Sequence, residues 1–389
     1  MGSGMGKHMQ QRTHEYLVSV VFQSLKIVLL LFWVWGQGIC SSSAEKVMIP
    51  ANFVFGDSLV DAGNNNFIAT LSKANYVPNG IDLGMPTGRY TNGRTIVDII
   101  GQEMGLAAAG FTPPYLAPTT SGPVILQGVN FASGAAGILN ETGNLFGGRI
   151  NLDAQLDNFA NTREDVIRSI GWRAARRVLE NAMFSVTIGS NDFINNYFTP
   201  VVSTLERDLV PPQVFVTAMI SKFRTQLTRV YMMGGRKVVV ANVGPIGCIP
   251  YQRDINPGAG DDCVSLPNHL AQLFNTQLRS LVTELNSNLD GSIFVYADVY
   301  RIVDDIITNY TAYGFENANS ACCYVAGKYG GLLPCGPSSK VCPDRSKYVF
   351  WDPYHPTDAA NTIIANRLID GDSHHIWPLN IRQLLSSSA

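Results

Sequence analysis

The chain has 389 residues, of which 46% are hydrophobic and 15% are charged, and its formal net charge is −2. This composition is that of a globular protein with enough apolar residues for a large core, and it excludes a mainly disordered chain. The small net charge and the lack of a Lys/Arg-rich run argue against a nucleic-acid partner.

The first 44 residues have the layout of a secretory signal peptide. Lys7, Arg12 and Lys26 precede nine apolar residues, "IVLLLFWVW" at 27–35, and a run of mostly small residues then ends at Ala44. An uncleaved signal anchor is the alternative, because "LVSVVF" lies just upstream, but polar residues interrupt the run and leave it too short for a membrane span. We therefore expect a cleaved signal peptide at 1–44, a single domain at 45–389 without a stable membrane span, and a secreted protein in the extracellular space or cell wall.

After this segment, apolar runs alternate with amphipathic helical patterns. Runs rich in Val, Ile and Phe predict strands buried on both faces at 51–56, 183–189, 236–244 and 292–299, with a further candidate at 128–133. Helical periodicity predicts helices at 93–105, 152–181, 211–235, 266–286 and 356–370. This alternation predicts an α/β fold with a parallel sheet covered by helices on both faces.

Polar residues follow three of these predicted strands. Ser58 comes two residues after the first strand, in "FVFGDSLVDAGNNN". Asn191 and Asp192 follow the strand at 183–189, and the glycine-rich "ASGAAG" at 132–137 follows the candidate at 128–133. Because functional groups collect at the carboxyl ends of strands in open parallel sheets, we expect these loops to converge.

A serine nucleophile needs a base, which is usually a histidine. Of the six histidines, two lie in the signal segment, two stand together in a polar segment after the last helix, and His269 lies in an amphipathic helix. His355 remains, in "VFWDPYHPTDAAN", with Asp352 three residues before it. A tight turn at that spacing can bring the carboxylate to imidazole Nδ1. A plain turn is the alternative for this segment alone, but its combination with Ser58 favours a catalytic pair.

The cysteines and sequons also bear on export. Cys40 would leave with the signal peptide, and the six that remain are an even number, as expected for disulfides in an oxidising compartment. Cys322 and Cys323 are adjacent, so we expect them to bond to different partners. A zinc site is disfavoured by the lack of a C-x-x-C pair, and no metal or organic cofactor is expected. Asn140 and Asn309 head N-x-T sequons and are candidate N-glycan sites.

Four motifs occur in order: "FVFGDSLVDAGNNN", "GVNFASGAAGIL", "VTIGSNDFINNY" and "FWDPYHPTDAAN". With these motifs the chain resembles the plant GDSL esterase/lipase family of the SGNH hydrolase superfamily, from about Asn52 to Leu385. The resemblance implies the SGNH hydrolase fold, a flavodoxin-like three-layer αβα sandwich with a central, mainly parallel sheet and the site at its carboxyl edge.

The resemblance also implies a role for each matching residue. Ser58 would be the nucleophile, His355 the general base and Asp352 its orienting carboxylate. The backbone N–H of Gly134, the side-chain amide of Asn191 and the backbone N–H of Ser58 would form the oxyanion hole. Such preorganised donors commonly contribute more to catalysis of this type than any other single feature of the enzyme.

The chain departs from the family pattern at Ala135, where a second glycine is common. If the backbone there requires a positive φ, alanine costs on the order of 1 kcal/mol or more. Ser58 also lacks the G-x-S-x-G frame of α/β-hydrolases. We expect Asp57 and the run Asn64–Asn66 to organise its loop instead, through hydrogen bonds to backbone.

The leading functional hypothesis is a secreted serine hydrolase that cleaves carboxylic esters of small molecules or polymers through an acyl-enzyme. An acyltransferase resembling a cutin synthase would use the same residues with an alcohol as acceptor, and a noncatalytic secreted glycoprotein is the second alternative. Lipids, cutin-like polyesters and acetylated polysaccharides all remain candidate substrates.

Overall fold

The computed structural model describes residues 51–106, 111–198 and 210–387. The predicted signal peptide at 1–44 lies outside these ranges. The described residues belong to one compact unit. Among them, no helix combines the length and the apolar character needed to cross a membrane.

The described strands form one five-stranded sheet and two small ones. The large sheet has the order β1-β2-β3-β4-β9, with β1 to β4 parallel and β9 antiparallel to β4, while β5 pairs with β8 and β6 with β7. The strands are β1 (Asn52–Gly56), β2 (Met183–Thr187), β3 (Lys237–Ala241), β4 (Ile293–Ala297), β5 (Asn317–Ala321), β6 (Cys323–Tyr324), β7 (Lys340–Val341), β8 (Tyr348–Phe350) and β9 (Ile376–Trp377).

The helices connect these strands and cover the large sheet. They are α1 (Ile96–Met104), α2 (Leu152–Ile170), α3 (Trp172–Asn181), α4 (Ser190–Asp192), α5 (Pro212–Met232), α6 (Pro250–Ile255), α7 (Ser265–Asn288), α8 (Val299–Thr308), α9 (Asp358–Asp370) and α10 (Ile381–Ser386). A π-helix, Phe193–Tyr197, follows α4. Short 3-10 helices lie at Asn64–Phe67, Ile81–Leu83, Gly122–Gln127, Asn144–Phe146, Ile246–Cys248, Pro257–Ala259, Tyr310–Tyr313 and Arg345–Lys347.

Strand β1 shows why the sheet needs helices on both faces. Successive side chains of a strand point to opposite faces. The rings of Phe53 and Phe55 lie 5.1 Å and 5.6 Å from the ring of Phe159 on α2, whereas Val54 packs in a separate apolar cluster with Val97 on α1. Helix α5 packs against α2 and α7, and α9 packs against α1, α8 and α10. The predicted αβα sandwich with a mainly parallel sheet is confirmed.

The parallel register aligns the carboxyl ends of the four central strands. Gly56 pairs with Thr187, Thr187 with Ala241, and Ala241 with Ala297. The loops that follow these residues therefore leave the sheet along one edge, where the candidate site residues were expected.

Two of the predicted elements are wrong. Segment 128–133 is not a strand. Asn130 makes isolated bridges to Val54 and Pro114, and the amide of Gly56, which would extend the pairing along β1, donates to the side chain of Gln155 instead. The predicted single helix at 152–181 is two helices, since Gly171 adopts a φ of 78°, outside the helical region, between α2 and α3.

The six cysteines of the described residues form three disulfides. The pairs are Cys248–Cys263, Cys322–Cys342 and Cys323–Cys335. The expectation that the two adjacent cysteines bond to different partners is confirmed. Together with Trp351, the two pairs that start at these adjacent cysteines form a small buried cluster apart from the main core.

Candidate active site

Ser58, His355 and Asp352 form a continuous hydrogen-bonded series. His355 Nε2 lies 2.7 Å from Ser58 Oγ, and His355 Nδ1 lies 2.8 Å from both carboxylate oxygens of Asp352. Asp352 and His355 are almost fully buried, at 6% and 7% exposure, while Ser58 is half-buried. The arrangement gives the serine proton a path to an imidazole whose other nitrogen is already fixed by a carboxylate.

The turn between β8 and α9 sets the positions of Asp352 and His355. Asp352 Oδ1 accepts the main-chain amides of Tyr354 and His355, each at 2.8 Å. The amide of Trp351 donates to the carbonyl of His355 at 2.8 Å and closes the turn. The buried indole of Trp351 donates in addition to Asn79 Oδ1 at 2.9 Å. This local folding explains how a three-residue spacing brings the carboxylate onto Nδ1.

The loop after β1 is held by side chains that bond to main chain, as expected. Asp57 Oδ1 accepts the amide of Leu59 at 3.0 Å. Asn64, Asn65 and Asn66 each donate their side-chain amide to main-chain carbonyls, at 2.8 to 3.1 Å. The expectation that Asp57 and this asparagine run organise the Ser58 loop is confirmed.

The backbone N–H of Gly134 was expected to be an oxyanion donor, but it is engaged by another residue. Its amide donates to Asp61 Oδ2 at 3.1 Å, so this hydrogen is already engaged. A Cβ at position 134 would lie 2.1 Å from the hydroxyl of Tyr90, so close packing explains the glycine. The structure therefore does not support the amide of Gly134 as a free oxyanion donor.

The neighbouring Ala135 lines the cavity that contains Ser58. Its amide has no hydrogen-bond acceptor among the described residues. Ala135 has a φ of 66° and is the one non-glycine residue with a positive φ in the described part of the chain. Such a left-handed conformation costs an L-residue about 1–2 kcal/mol. The cavity wall thus includes a residue in a strained conformation whose amide, unlike that of Gly134, is not engaged by another described residue.

Asn191 lies on the short helix α4, directly after β2, and lines the same cavity. Its Nδ2 donates to the carbonyl of Ala136 at 3.0 Å, and its Oδ1 accepts from Asn195 Nδ2 at 2.6 Å. These bonds fix the orientation of the amide. Because a side-chain amide carries two N–H donors, one remains for a bound group.

Two buried carboxylates connect the loops that carry these residues. Asp61 accepts two amides of its own loop at 2.7 Å as well as that of Gly134. Asp192 accepts two amides at 138–139, both at 2.9 Å, and the hydroxyl of Thr142 at 2.8 Å. Burial raises the pKa of each carboxyl to about 6, although the hydrogen bonds oppose the shift.

Asp61 and Tyr90 are site residues that the sequence did not reveal. The Tyr90 ring lies 5.2 Å from the His355 ring, and its hydroxyl donates to the carbonyl of Ser72 at 2.8 Å. The one available signal for Asp61 was the Asx-turn pattern of an aspartate followed by Gly63 and Asn64. Nothing in the sequence indicated Tyr90, which comes from a loop far from the motifs.

A cavity of about 220 Å³ opens at this edge of the sheet. The hydrogen-bonded series, Ala135 and Asn191 all contribute to its wall, and Leu71, Lys73, Tyr76 and Pro334 belong to the loops around it. Among the described residues, no cluster of His, Cys, Asp and Glu side chains has the arrangement needed to hold a metal ion. The chemistry that this cavity can support is nucleophilic attack by an activated serine next to preorganised N–H donors.

Comparison with known proteins identifies the family of the chain. Residues 53–368 match the family model for the GDSL-like Lipase/Acylhydrolase. The chain is 68% identical to GDSL esterase/lipase At4g16230 of Arabidopsis thaliana over 336 residues, which cover 86% of this chain and 91% of that protein. It is 51% identical to GDSL esterase/lipase At2g23540 of the same plant over 341 residues, 86% of this chain and 88% of that protein. With a serine, a histidine and an aspartate joined at the carboxyl edge of its sheet, the chain belongs to the GDSL-like lipase/acylhydrolase family.

Proposed function

We propose that this protein is a secreted serine hydrolase that cleaves carboxylic esters through an acyl-enzyme. The observation that carries the proposal is the hydrogen-bonded series from Ser58 Oγ through His355 to Asp352. The esterase/lipase names of the relatives support the same reaction class.

In the proposed acylation step, Ser58 Oγ attacks the ester carbonyl carbon while His355 Nε2 takes the hydroxyl proton. The resulting imidazolium is stabilised by Asp352 and then gives this proton to the departing alcohol oxygen as the C–O bond breaks. A water molecule repeats the sequence on the acyl-enzyme, which releases the carboxylic acid and returns the proton to Ser58.

The tetrahedral intermediates carry a negative oxygen, and three donors are proposed to stabilise it. They are the backbone amides of Ser58 and Ala135, which have no acceptor among the described residues, and the remaining N–H of Asn191 Nδ2. Ala135 replaces Gly134 in this assignment, because Asp61 already engages the amide of Gly134. Donors that are fixed before the reaction need no reorganisation as charge develops.

The proposal predicts a specific pattern of mutant activities. Ser58→Ala, His355→Ala and the double variant should lose about the same activity, because the two residues act as a unit. Asn191→Ala should retain the acyl-enzyme route but lower kcat by roughly 10²–10³-fold with little change in KM. The measurement is steady-state hydrolysis of a chromogenic short-chain ester, with circular dichroism to show that each variant folds.

An exposed serine such as Ser280 on α7 gives the matched control, since Ser280→Ala should keep the wild-type rate. The proposal is rejected if Ser58→Ala keeps the wild-type rate, or if a fluorophosphonate probe labels another serine.

The same acyl-enzyme could pass its acyl group to an alcohol, so the acceptor also needs a test. We propose water as the acceptor, in line with the names of the relatives. Product analysis with and without a polyol checks this: the free acid should remain the main product when glycerol is present, and acylated glycerol as the main product would indicate a transferase instead.

Secretion is part of the proposal and has independent support. The three disulfides are typical of proteins that fold in an oxidising compartment. Asn140 and Asn309 are both exposed, as N-glycan acceptors must be. We therefore propose an extracellular or cell-wall protein that can carry glycans at these two positions.

A further inference from the structure

Helix α3 has a cationic outer face, although the whole chain has a formal net charge of −2. Its three arginines, Arg173, Arg176 and Arg177, are all exposed. Arg176 pairs at 2.8 Å with Glu180, the one acidic residue of the helix. Arg173 and Arg177 have no ion-pair partner among the described residues, so two positive charges on this face are not neutralised.

An exposed indole lies next to these arginines. Trp172 and Arg176 are four residues apart and share one side of the helix, and Arg173 and Arg177 share the neighbouring side. Trp172 is 56% exposed, and the guanidinium carbon of Arg163 lies 5.3 Å from the centre of its ring. This contact holds the indole in place and leaves more than half of the residue accessible, so a partner would restrict it little further.

The cationic face of α3 lies away from the catalytic residues. Helix α3 ends at Asn181, just before β2 begins at Met183. A Cβ at Gly234, in the loop before β3, would lie 3.4 Å from the side chain of Leu179 on α3. Helix α3 is therefore beside the amino ends of β2 and β3, whereas Ser58 follows the carboxyl end of β1. A partner bound to α3 would leave the active-site cavity open.

The apolar side of α3 is already used by the core. Ala175 and Leu179 are 0% and 3% exposed and belong to the main hydrophobic cluster. A helix that lies in a membrane surface needs its apolar side free to enter the lipid. In the folded protein, α3 offers a partner its arginines and a single indole, which favours a charged polymer over a bilayer.

We propose that the α3 surface, formed by Trp172, Arg173, Arg176 and Arg177, binds a polysaccharide whose sugar units carry carboxylates. Guanidinium groups form bidentate hydrogen bonds with carboxylates. Arg173 and Arg177 are about 6 Å apart along the helix axis, so they can bind carboxylates of different sugar units in one chain. The flat indole of Trp172 can pack against the C–H face of a sugar ring. Such binding would retain the secreted protein on an acidic matrix, and it does not depend on the proposed hydrolysis.

Binding of purified protein to polygalacturonate, measured by isothermal titration calorimetry at low ionic strength, tests the proposal. All proteins in this series carry Ser58→Ala, so that no ester hydrolysis contributes heat. Adding Arg173→Gln/Arg177→Gln should raise Kd roughly fivefold to tenfold, since two exposed ion pairs are lost. With the α3 surface intact, Kd should rise as the ionic strength increases from about 0.01 M to about 0.15 M.

Arg224→Gln/Arg382→Gln is the matched control. It removes the same charge from α5 and α10, where these arginines pair with Glu284 and Asp370, so Kd for polygalacturonate should stay unchanged. If polygalacturonate does not bind, or if this control weakens binding as much as the α3 variant, the proposal is rejected.

Trp172→Ala distinguishes a saccharide site from a general attraction of polyanions. It should raise Kd for polygalacturonate but leave Kd for polyglutamate, a polyanion without sugar rings, unchanged. Equal effects on both polymers, or none on either, would reject a saccharide site. Binding to vesicles of phosphatidylcholine and phosphatidylserine in place of polygalacturonate would reject it in favour of a membrane.

The two proposals fail in different experiments. With Ser58 present, Arg173→Gln/Arg177→Gln should hydrolyse p-nitrophenyl acetate at the wild-type rate, because the α3 surface lies away from the active site. Hydrolysis that does not depend on Ser58 rejects the proposed function alone, and loss of hydrolysis in this folded arginine variant would contradict a separate binding surface.

Discussion

Asp57 is the residue next to Ser58, the proposed nucleophile, and only one of its two carboxyl oxygens has a hydrogen-bond partner among the described residues. Oδ1 accepts the amide of Leu59, whereas the buried Oδ2 has no hydrogen-bond partner among the described residues. Burial raises the pKa of Asp57 to about 7, although the bond from Leu59 and the nearby His355 oppose the shift. A buried carboxyl without full pairing favours the protonated form.

This raised pKa predicts a pH-dependent stability. Between about pH 4 and pH 7 the folded state keeps a proton on Asp57 that the unfolded chain releases, so the free energy of unfolding falls as the pH rises through this window. The side chain of Asp57→Asn cannot titrate. As the pH rises from about 4 to 7, the free energy of unfolding of this variant should therefore increase relative to that of the wild type, by on the order of a few kcal/mol at pH 8. Urea unfolding at several pH values measures the difference.

The control for this prediction is Asp157→Asn, at an exposed carboxyl that pairs with Arg229. The difference in free energy of unfolding between Asp157→Asn and the wild type should change little between about pH 4 and pH 7. An Asp57→Asn curve that runs parallel to that of the wild type would show that Asp57 is ionised in the folded protein throughout.

At the scale of residues, the sequence allowed the site to be predicted by side-chain type. Ser58, His355 and Asp352 were selected because the chemistry needs a hydroxyl, an imidazole and a carboxylate, and the structure joins them. The proposed assignment of Ala135, rather than Gly134, as the oxyanion donor could not be predicted from side-chain type. It depends on which amide Asp61 engages, and that follows from the three-dimensional path of two loops.

Among the elements, strand β3 and helix α10 are connected by an unusual contact. Lys237, buried at the start of β3, donates its ammonium group to the carbonyls of Leu385 at 3.2 Å and Ser387 at 2.7 Å. These carbonyls lie at the C-terminal end of α10, where the helix dipole favours a positive charge. Burial lowers the pKa of Lys237, and the two acceptors supply the pairing that a buried ammonium needs.

Lys237→Met should therefore lower the free energy of unfolding by about 1–2 kcal/mol, since the carbonyls at the end of α10 lose their donor. Chemical denaturation measures the change, and amide hydrogen exchange should show faster opening of α10. Lys340→Met, at an exposed lysine on β7, is the control. Equal stability of the two variants would mean that the contact contributes little.

Most elements with a clear hydrophobic pattern were predicted from the sequence, and some without one were missed. The four central strands were clear because strands buried on both faces are continuous apolar runs. Helix α8 was missed although Val299, Ile302, Val303 and Ile306 recur at helical spacing, because the predicted strand at 292–299 extended into its first residue and β-branched residues have low helix propensity. The short antiparallel strand β9 has too few residues to form a pattern.

For the molecule as a whole, the disulfides add to the stability given by the core. Cys248–Cys263 closes a loop with a sequence separation of 15 and lies beside the cavity wall at Ile246 and Ile249. A cross-link stabilises a protein mainly by restricting the unfolded chain, and a loop of this size corresponds to about 3 kcal/mol.

The double variant Cys248→Ala/Cys263→Ala should lose about this much free energy of unfolding. Urea unfolding under oxidising conditions measures the loss, and the midpoint should fall. Fully reduced wild type gives the comparison, because it lacks all three bridges and should be less stable than the variant. A midpoint equal to that of the oxidised wild type would show that the bridge adds no stability.

The large sheet is protected along both of its edges. β9 pairs with β4 on one side, and on the other side Val54 of β1 bonds to the main chain of Val129 and Phe131, at 3.0 Å and 2.7 Å. Uncovered strand edges recruit strands from other molecules and start aggregation. The short segment at 129–131, which is too irregular to count as a strand, thus covers this edge of β1. Because this segment occupies the edge of β1, a second molecule of the protein cannot add a strand there. Concentrated solutions of the folded protein should therefore resist edge-to-edge association.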